Sequence, residues 1–299
     1  MPHADHAPGW LPPGGVRAKS HPLNTFLLVA LTSMNVSATT HSSHEQTCNK
    51  PVYLTFDTGH MAVAPLIADV LRQENVRVTF FAAHERTQQG DGSLGDHWAP
   101  WWRARAAEGH MFASHTHDHT YWRADLPAAT GAGMQFRVRP SSGPQAGQDA
   151  VISGAAYCTE IKRADDRLRQ LTGTDTLPVW RAPGGKTSAA MLKNARQCGY
   201  AHVGWAPAGF LGDELPSDRY PNNQLLSKAL RDIRPGDILM AHLGIWSRQD
   251  PWAPAVLAPL LQGLKAKGFC FQTLAEHPDY TGWITAQRGN PARARTPQP

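Results

Sequence analysis

The sequence predicts an α/β protein whose central sheet is mostly parallel. Seven short segments rich in β-branched and aromatic residues alternate with segments whose apolar residues repeat at helical spacing. The connections are mostly short, and residues with catalytic or ligand chemistry follow the strand-like segments directly. This alternation is typical of a parallel sheet with helices on its faces, and it leaves open whether the sheet closes into a barrel.

The elements follow in a regular order. The first strand, 52–56, is a buried run that ends at Asp57. Further strands are predicted at 76–82, 110–113, 177–180, 200–205, 237–241 and 269–273, and helices at 64–74, 98–108, 155–171, 188–198, 224–233 and 254–267. Of the two long connections, 85–97 and 121–154, the second is rich in Gly, Pro and Ser, so we expect a lid over the substrate. The tail from 278 onward is expected to be loosely ordered.

Composition limits the possible functions. With 299 residues and 41% hydrophobic content, the chain can bury a large core. A net charge of +5 and a pI near 9.1 would permit contact with nucleic acid, but no basic run is present, so no nucleic-acid partner is predicted. Ten tryptophans suit a sugar-binding groove, although at least half of them would serve packing. No apolar stretch reaches the roughly 18 residues of a membrane-spanning helix.

The N-terminal region predicts export. Arg17 and Lys19 precede an apolar run at 26–31, and Val36-Ser37-Ala38 supplies small residues for cleavage after Ala38. Residues 1–38 are therefore expected to be an N-terminal extension and signal peptide, with synthesis starting near Val16. Residues 39–50 are expected to be a leader, 51–277 the catalytic domain and 278–299 the tail.

The densest chemistry lies in Ser114-His115-Thr116-His117-Asp118-His119. His115 and His119 are spaced so that both imidazoles can share one cation if the chain turns between them. Such a spacing alone more often reflects a polar surface turn than a site. The wider pattern favours a site, because five residues lie at or just past predicted strand ends, where function concentrates in parallel sheets: Asp57, His115, Arg181, Trp205 and His242.

At these positions the chain resembles the polysaccharide deacetylases, carbohydrate esterase family 4, over most of residues 50–277. Thr55-Phe56-Asp57-Thr58-Gly59 resembles the family motif T-F-D-D-G, and His115 to His119 matches H-[ST]-x-x-H. Arg181-Ala182-Pro183-Gly184-Gly185 resembles R-x-P-x-G, and Leu239-Met240-Ala241-His242 resembles the closing L-x-H region. Each motif is weak alone, but the set in this order is specific.

The resemblance implies a distorted (β/α)7 barrel with predominantly parallel strands and hydrolysis of an N-acyl group on a sugar. It assigns Asp57 as the base, His242 as the acid and Arg181 as the partner that keeps Asp57 ionised. His115 and His119 would be metal ligands, with zinc the expected divalent metal. Three further residues would contact substrate, with the Gly184 N–H as oxyanion donor and Met240 lining the acyl-methyl pocket: Gly184, Trp205 and Met240.

Two departures from the family pattern bear on the chemistry. Thr58 replaces the family's metal-binding aspartate, and the candidates to replace it are His60, His117 and Asp118. The fourth motif keeps Trp205 without a neighbouring aspartate, for which Asp213 or Glu214 could substitute. The sequence therefore keeps two alternatives open: a metal-independent amide hydrolase and a carbohydrate-binding protein that has lost catalysis.

Four cysteines in an exported protein allow three disulfide pairings. Cys158 and Cys198 fall on consecutive predicted helices and could meet across them. Cys48 precedes the first strand and Cys270 lies in the last, which a closed barrel would bring side by side. Both pairings are hypotheses at this point.

Overall fold

Seven parallel strands form the central sheet of the computed structural model, which describes residues 48–127 and 133–290. The described residues contain ten strands: β1 (Pro51–Asp57), β2 (Thr79–Ala82), β3 (Met111–Ser114), β4 (Thr120–Leu126), β5 (Gln135–Pro140), β6 (Ala150–Ser153), β7 (Val179–Trp180), β8 (Ala201–His202), β9 (Ile238–His242) and β10 (Cys270–Phe271). The order of strands in the central sheet is β8-β7-β3-β2-β1. On its outer side, β1 pairs with two strands: residues 51–52 of β1 pair with β10, and residues 53–57 pair with β9.

The sheet curls into a distorted barrel, as the resemblance implied. The segment that follows β8 bonds to β9: the Ala206 N–H donates to Ile238 O at 3.1 Å and the Leu211 N–H to Met240 O at 3.2 Å. These bonds bring the β8 side of the sheet against β9, on the far side of β1. The predicted fold class is confirmed.

Seven helices flank the sheet in the described residues: α1 (Ala64–Gln73), α2 (Ala99–Ala107), α3 (Gly154–Thr172), α4 (Ala189–Gln197), α5 (Asn222–Asp232), α6 (Leu257–Ala266) and α7 (Pro278–Ala286). Local signals fix their ends. The Ser153 side chain accepts the Ala156 N–H at the start of α3, and Gly173, with φ +73°, ends it in a left-handed conformation. None of the described helices is long and apolar enough to cross a membrane.

The connection 121–154 is not the irregular lid that its composition suggested. Most of it forms a separate three-stranded antiparallel sheet, β4-β5-β6. The alternation of buried and exposed residues along β5, with Phe136 and Val138 buried, reflects one face packed on Tyr157 of α3. The Gly, Pro and Ser residues lie mainly at its turns, around 141–147, and 128–132 lie outside the described residues.

Alternation along β1 separates the core from the site. Val52, Leu54 and Phe56 belong to the large apolar cluster beneath the helices, whereas Tyr53 belongs to the cluster inside the barrel. Because successive side chains point to opposite faces, Asp57 shares the interior face with Tyr53. An alternation of period two therefore aims the carboxylate into the barrel.

Two disulfides crosslink the catalytic region, one between its ends and one within its middle part. Cys48 is bonded to Cys270 and Cys158 to Cys198, so both proposed pairings are confirmed.

The tail corrects an expectation, because α7 is an ordered helix whose Ile284 is buried. Few apolar residues suffice here, since the indole of Trp283 also donates to Pro178 O at 2.8 Å. The expected signal peptide lies outside the described residues.

Candidate active site

The register of the parallel strands brings distant residues to one edge of the barrel. Asp57 is the partner of His242 in the β1–β9 ladder, so the two side chains stand side by side at adjacent strand ends. On the other side of β1, Asp57 pairs with Phe81. Arg181 follows β7 directly, and its N–H donates to Ser114 O, one residue before His115. Acid, base, arginine and imidazole thus come from four strand ends.

Asp57 and Arg181 form a buried ion pair. Arg181 Nη1 donates to Asp57 Oδ1 at 2.7 Å, and the two residues are 0% and 2% exposed. Burial alone would raise the pKa of the Asp57 carboxyl, but the Arg181 guanidinium, with His115 and His242, holds that pKa below its ordinary value. Asp57 is therefore a carboxylate at neutral pH, with Oδ2 3.6 Å from His115 Nε2.

The rest of the Arg181 guanidinium is also satisfied. It donates to Thr55 Oγ1 at 2.9 Å, to Val203 O at 3.3 Å and to Gly204 O at 3.2 Å. The ring of Trp205 lies 5.6 Å from the guanidinium carbon, which places this tryptophan beside the arginine. An arginine with a hydrogen-bond partner at each of its three guanidinium nitrogens holds Asp57 in one position.

The two histidines are brought together by a strained turn. Thr116 and His119 have φ values of +61° and +48°, which are unfavourable for residues with a side chain and most of all for a β-branched threonine. The Thr116 hydroxyl oxygen accepts the Thr120 N–H at 2.8 Å and stabilises the turn. The turn folds back the chain, and the rings of His115 and His119 lie 4.8 Å apart.

Each of the two rings has its Nδ1 engaged by a neighbouring oxygen. His115 Nδ1 is 2.9 Å from Arg181 O, and since a carbonyl only accepts, Nδ1 carries the proton and Nε2 keeps its lone pair. His119 Nδ1 contacts Ser141 Oγ at 2.6 Å, which engages the equivalent nitrogen. Burial lowers the pKa of His115 to about 4, so this ring is neutral. Neutral imidazoles oriented by a bond at the other nitrogen are suited to metal ligation.

The third ligand position differs from the family pattern. The Thr58 hydroxyl donates to Glu85 Oε2 at 2.5 Å, and its oxygen accepts the Ala83 N–H at 3.0 Å. Within 48–127 and 133–290, no three His, Cys, Asp or Glu side chains are grouped closely enough to hold a metal as they stand. The donor chemistry of the imidazole pair nevertheless fits a divalent metal, because imidazole nitrogens and nearby carboxylates are the ligands that zinc takes in proteins.

His242 is held by Asp213. Asp213 Oδ1 is 3.1 Å from His242 Nδ1, and Oδ2 accepts the His242 backbone N–H at 2.6 Å. Burial alone would lower the pKa of His242, but the carboxylates of Asp213, Asp57 and Glu214 raise it to about 9. The ring is therefore protonated at neutral pH, as a general acid must be. Asp213, one of the two residues suggested to replace the aspartate of the fourth motif, thus contacts the acid.

The three residues expected to contact substrate lie around this centre. Met240 is 2% exposed and precedes His242 by two residues, so it lies below the acid on the same face of β9. Gly184, with φ +67°, occupies a tight turn where an added Cβ would meet the Tyr121 ring at 2.9 Å. Trp205 packs on Gly185 and Arg181.

The three residues suggested as replacements for the lost ligand are engaged elsewhere. His60 Nδ1 accepts the Ala62 N–H, and its ring packs on Trp246. His117 Nδ1 contacts Asp118 at 2.7 Å, and Asp118 also contacts Arg163 on α3. The sequence argument missed Glu85, although its position three residues after β2 is the kind of strand-end signal that selected the other residues.

An ionised carboxylate, a protonated imidazole and an imidazole pair at the carboxyl edge of a parallel barrel define a hydrolytic class of site. Residues 44–203 match the model of the family described as polysaccharide deacetylase. The chain belongs to this family and is a hydrolase of non-peptide C–N bonds.

Named relatives agree with this assignment, and a solved structure agrees with the fold. The chain is 24% identical over 233 residues to a chitooligosaccharide deacetylase of Azorhizobium caulinodans, covering 75% of this chain and 92% of that one. It is 24% identical to a peptidoglycan-N-acetylglucosamine deacetylase of Bacillus cereus, covering 76% and 87%. A family 4 acetyl xylan esterase from Clostridium thermocellum, solved with cobalt, superimposes with a TM-score of 0.56 at 22% identity, covering 78% and 92%.

Proposed function

We propose that this protein is an exported deacetylase that removes an N-acyl group, in the first place N-acetyl, from an amino sugar of a polysaccharide or cell-wall polymer. The observation that carries the proposal is the pairing of Asp57 with His242 at adjacent strand ends. One residue is held ionised and the other protonated, so a base and an acid face the same pocket. The deacetylases of chitooligosaccharide and peptidoglycan among its relatives support the substrate class.

In the proposed mechanism, Asp57 takes the proton of the attacking water. Arg181 keeps that carboxylate ionised and fixes its orientation through Oδ1, which leaves Oδ2 toward the pocket. The Gly184 N–H is the proposed oxyanion donor, because it lies in a tight turn at the pocket wall. His242 then gives its proton to the leaving amine, and Asp213 stabilises the imidazolium before transfer.

His115 and His119 are the residues that would hold a divalent metal, in the first place zinc. When bound, such a metal supplies Lewis-acid polarisation of the acyl carbonyl and lowers the pKa of water. The bonds from Nδ1 of His115 and His119 to Arg181 O and Ser141 Oγ support this role, since they orient both rings.

The proposed location is outside the cytoplasm. Two disulfides support an oxidising compartment, because such bonds are rare in reducing ones. Sequencing the N-terminus of exported protein tests the proposed cleavage after Ala38. A terminus upstream of Ala38 would contradict it.

The test of activity is release of acetate from N-acetylglucosamine oligomers and from peptidoglycan by the purified protein, with and without a chelator. Release that stops with chelator and returns with zinc supports the proposal. A metal-independent hydrolase is the second candidate, favoured by the neutral Thr58 at the family's ligand position. It predicts release that a chelator does not change, and no release from any acetylated sugar would contradict the proposed function.

A further inference from the structure

We propose that Glu85 supplies the metal-binding carboxylate that this chain lacks at Thr58, and that Thr58 has become the residue that orients it. The inference rests on the proposed function, because it assigns a third ligand to the metal at His115 and His119. It concerns this chain's own departure from the family pattern, since Glu85 lies outside every motif of the resemblance.

The carboxylate of Glu85 lies beside Thr58, the position of the lost ligand. Glu85 Oε2 accepts the Thr58 hydroxyl at 2.5 Å, so a carboxylate oxygen lies one hydrogen bond from the side chain that stands where the family has its aspartate. The other oxygen, Oε1, is 3.8 Å from His119 Nδ1, the nitrogen that also contacts Ser141 Oγ. Glu85, which follows β2, therefore places a negative charge next to position 58, where the family's aspartate would have carried one.

The carboxylate of Glu85 has no lysine or arginine beside it in the described residues. Its side chain is only 19% exposed, and in the described part of the chain the basic side chain within 4 Å of this carboxylate is His119. No described lysine or arginine pairs with it, and the adjacent Arg86 lies over the Trp246 ring instead. A half-buried carboxylate beside a pair of imidazoles is stabilised by a cation bound between them.

Hydrogen bonds to Ser93 fix the backbone around Glu85. The Glu85 N–H donates to Ser93 Oγ at 2.8 Å, and the Ser93 N–H donates to Glu85 O at 2.9 Å. The Ser93 hydroxyl also donates to Ala83 O at 2.6 Å, and Thr58 accepts the Ala83 N–H. These bonds hold the loop after β2 against β1, and they leave the carboxylate itself to turn toward the histidines.

If these three side chains closed on a bound ion, they would supply two imidazoles and one glutamate, which is a ligand set used for catalytic zinc. Thr58 then acts as the neighbour that bonds to a ligating carboxylate. Such neighbours typically change metal affinity by roughly 10–100-fold when removed. Loss of the carboxylate itself is expected to exceed that range.

The test measures metal binding without any substrate. Metal-free full-length protein is titrated with zinc against a competing chelator, and with Co²⁺ while the visible absorption of the bound ion is recorded. Glu85→Gln should weaken zinc binding by about 100-fold or more and change the cobalt spectrum, and Thr58→Val should weaken it by roughly 10–100-fold. The double variant Thr58→Asp with Glu85→Gln should recover affinity, because the carboxylate returns from the neighbouring strand.

Glu108→Gln is the matched control, because Glu108 is also partly buried but pairs with Arg105 before β3, away from the site. It should bind zinc as the parent does. If Glu85→Gln folds poorly in a thermal melt, Thr58→Val carries the test, because it keeps the carboxylate and removes only its hydrogen-bond donor. Unchanged zinc affinity and cobalt spectrum in Glu85→Gln would overturn the assignment.

The outcomes separate this inference from the proposed function. A parent protein that binds no zinc but releases acetate would overturn the role of Glu85 and leave the deacetylase standing. A parent that binds zinc through Glu85 but releases no acyl group would support the ligand and contradict the function.

Discussion

Asp57 shows how a single residue acquires its chemistry from its partners. It lies at the end of a buried strand, where an isolated carboxyl would be costly to ionise. The guanidinium of Arg181 at 2.7 Å offsets that cost and keeps the charge. The same burial that makes the carboxylate expensive excludes water and strengthens its interactions, so one ion pair serves both the fold and the proposed reaction.

Replacing Asp57 with Asn is expected to lower turnover by about 10²–10⁴-fold, because the amide cannot take a proton. The variant should also be less stable, since removing one partner of a buried pair leaves Arg181 uncompensated at a cost of roughly 3–5 kcal/mol. Acetate release and urea unfolding measure the two effects. Asp232→Asn, on an exposed part of α5, is the control and should change neither. Near-normal turnover in Asp57→Asn would exclude its role as base.

The pH dependence should follow His242. With a pKa of about 9, His242 is protonated through neutral pH, and turnover should fall as the pH rises through about 9. Asp213→Asn removes the first carboxylate that raises this pKa, so the alkaline limb should move toward 6.5, by at least about one pH unit. A pH profile of kcat/KM measures the shift. An unmoved alkaline limb would show that another group controls it.

Protonation of His242 also affects the stability of the folded protein. The folded pKa of His242 lies above its ordinary value of 6.5, so protonation favours the folded state. This contribution is fully present below about pH 6.5 and is lost as the pH rises through about 9. Thermal melts from pH 6 to 10 should therefore show a larger fall in Tm for the parent than for Asp213→Asn. Parallel curves would contradict the coupling.

At the scale of elements, the β4-β5-β6 sheet helps to build the pocket. Tyr121 of β4 packs edge-on against His119, with ring centroids 4.9 Å apart, and it also covers Gly184 in the turn after β7. The additional sheet thus joins the proposed metal ligand to the proposed oxyanion turn. An element that looked like a loose connection in the sequence is part of the wall of the site.

Gly184→Ala tests this packing. The new methyl would lie 2.9 Å from Tyr121, so the ring or the turn must move, and turnover should fall by about tenfold or more. Gly173→Ala is a matched control, because Gly173 has a similar φ of +73° but open space around it. It should lose only about 1–2 kcal/mol of stability to backbone strain and keep its activity. Equal activity loss in both variants would point to backbone strain rather than to Tyr121.

At the scale of the whole molecule, the two disulfides close loops of different length. Cys48 and Cys270 are separated by 222 positions and join β10 to the residues before β1, whereas Cys158 and Cys198 are separated by 40. A crosslink restricts the unfolded chain more when its loop is longer. The bond that ties the first and last strands is therefore expected to stabilise the barrel more.

Replacing Cys48 and Cys270 with Ala should lower the free energy of unfolding more than replacing Cys158 and Cys198, by about 1.5 kcal/mol. Urea unfolding of the two double variants, with acetate release as a check of folding, measures the difference. Either variant should keep the active-site chemistry, because no cysteine contacts it in the described residues. The reverse order of stability would show that native packing, rather than loop length, decides.

The sequence by itself determined the parallel α/β class, the family and the strand-end positions of the candidate residues. These follow from local patterns, because apolar periodicity and motif order are written along the chain. It could not reveal β4-β5-β6, where short strands sit among turn residues, or the ordered α7. Nor could it choose between Asp213 and Glu214 as the replacement for the aspartate of the fourth motif.

Only the tertiary structure decided which carboxylate stands beside Thr58. Glu85 is 27 positions away and belongs to no motif, and its proximity arises because parallel β1 and β2 end at the same edge. The bonds that fix the His115 and His119 rings are likewise long-range. Local sequence determines which residues lie at the end of a strand. The register of the sheet determines which strand ends lie side by side, and the pocket forms where they do.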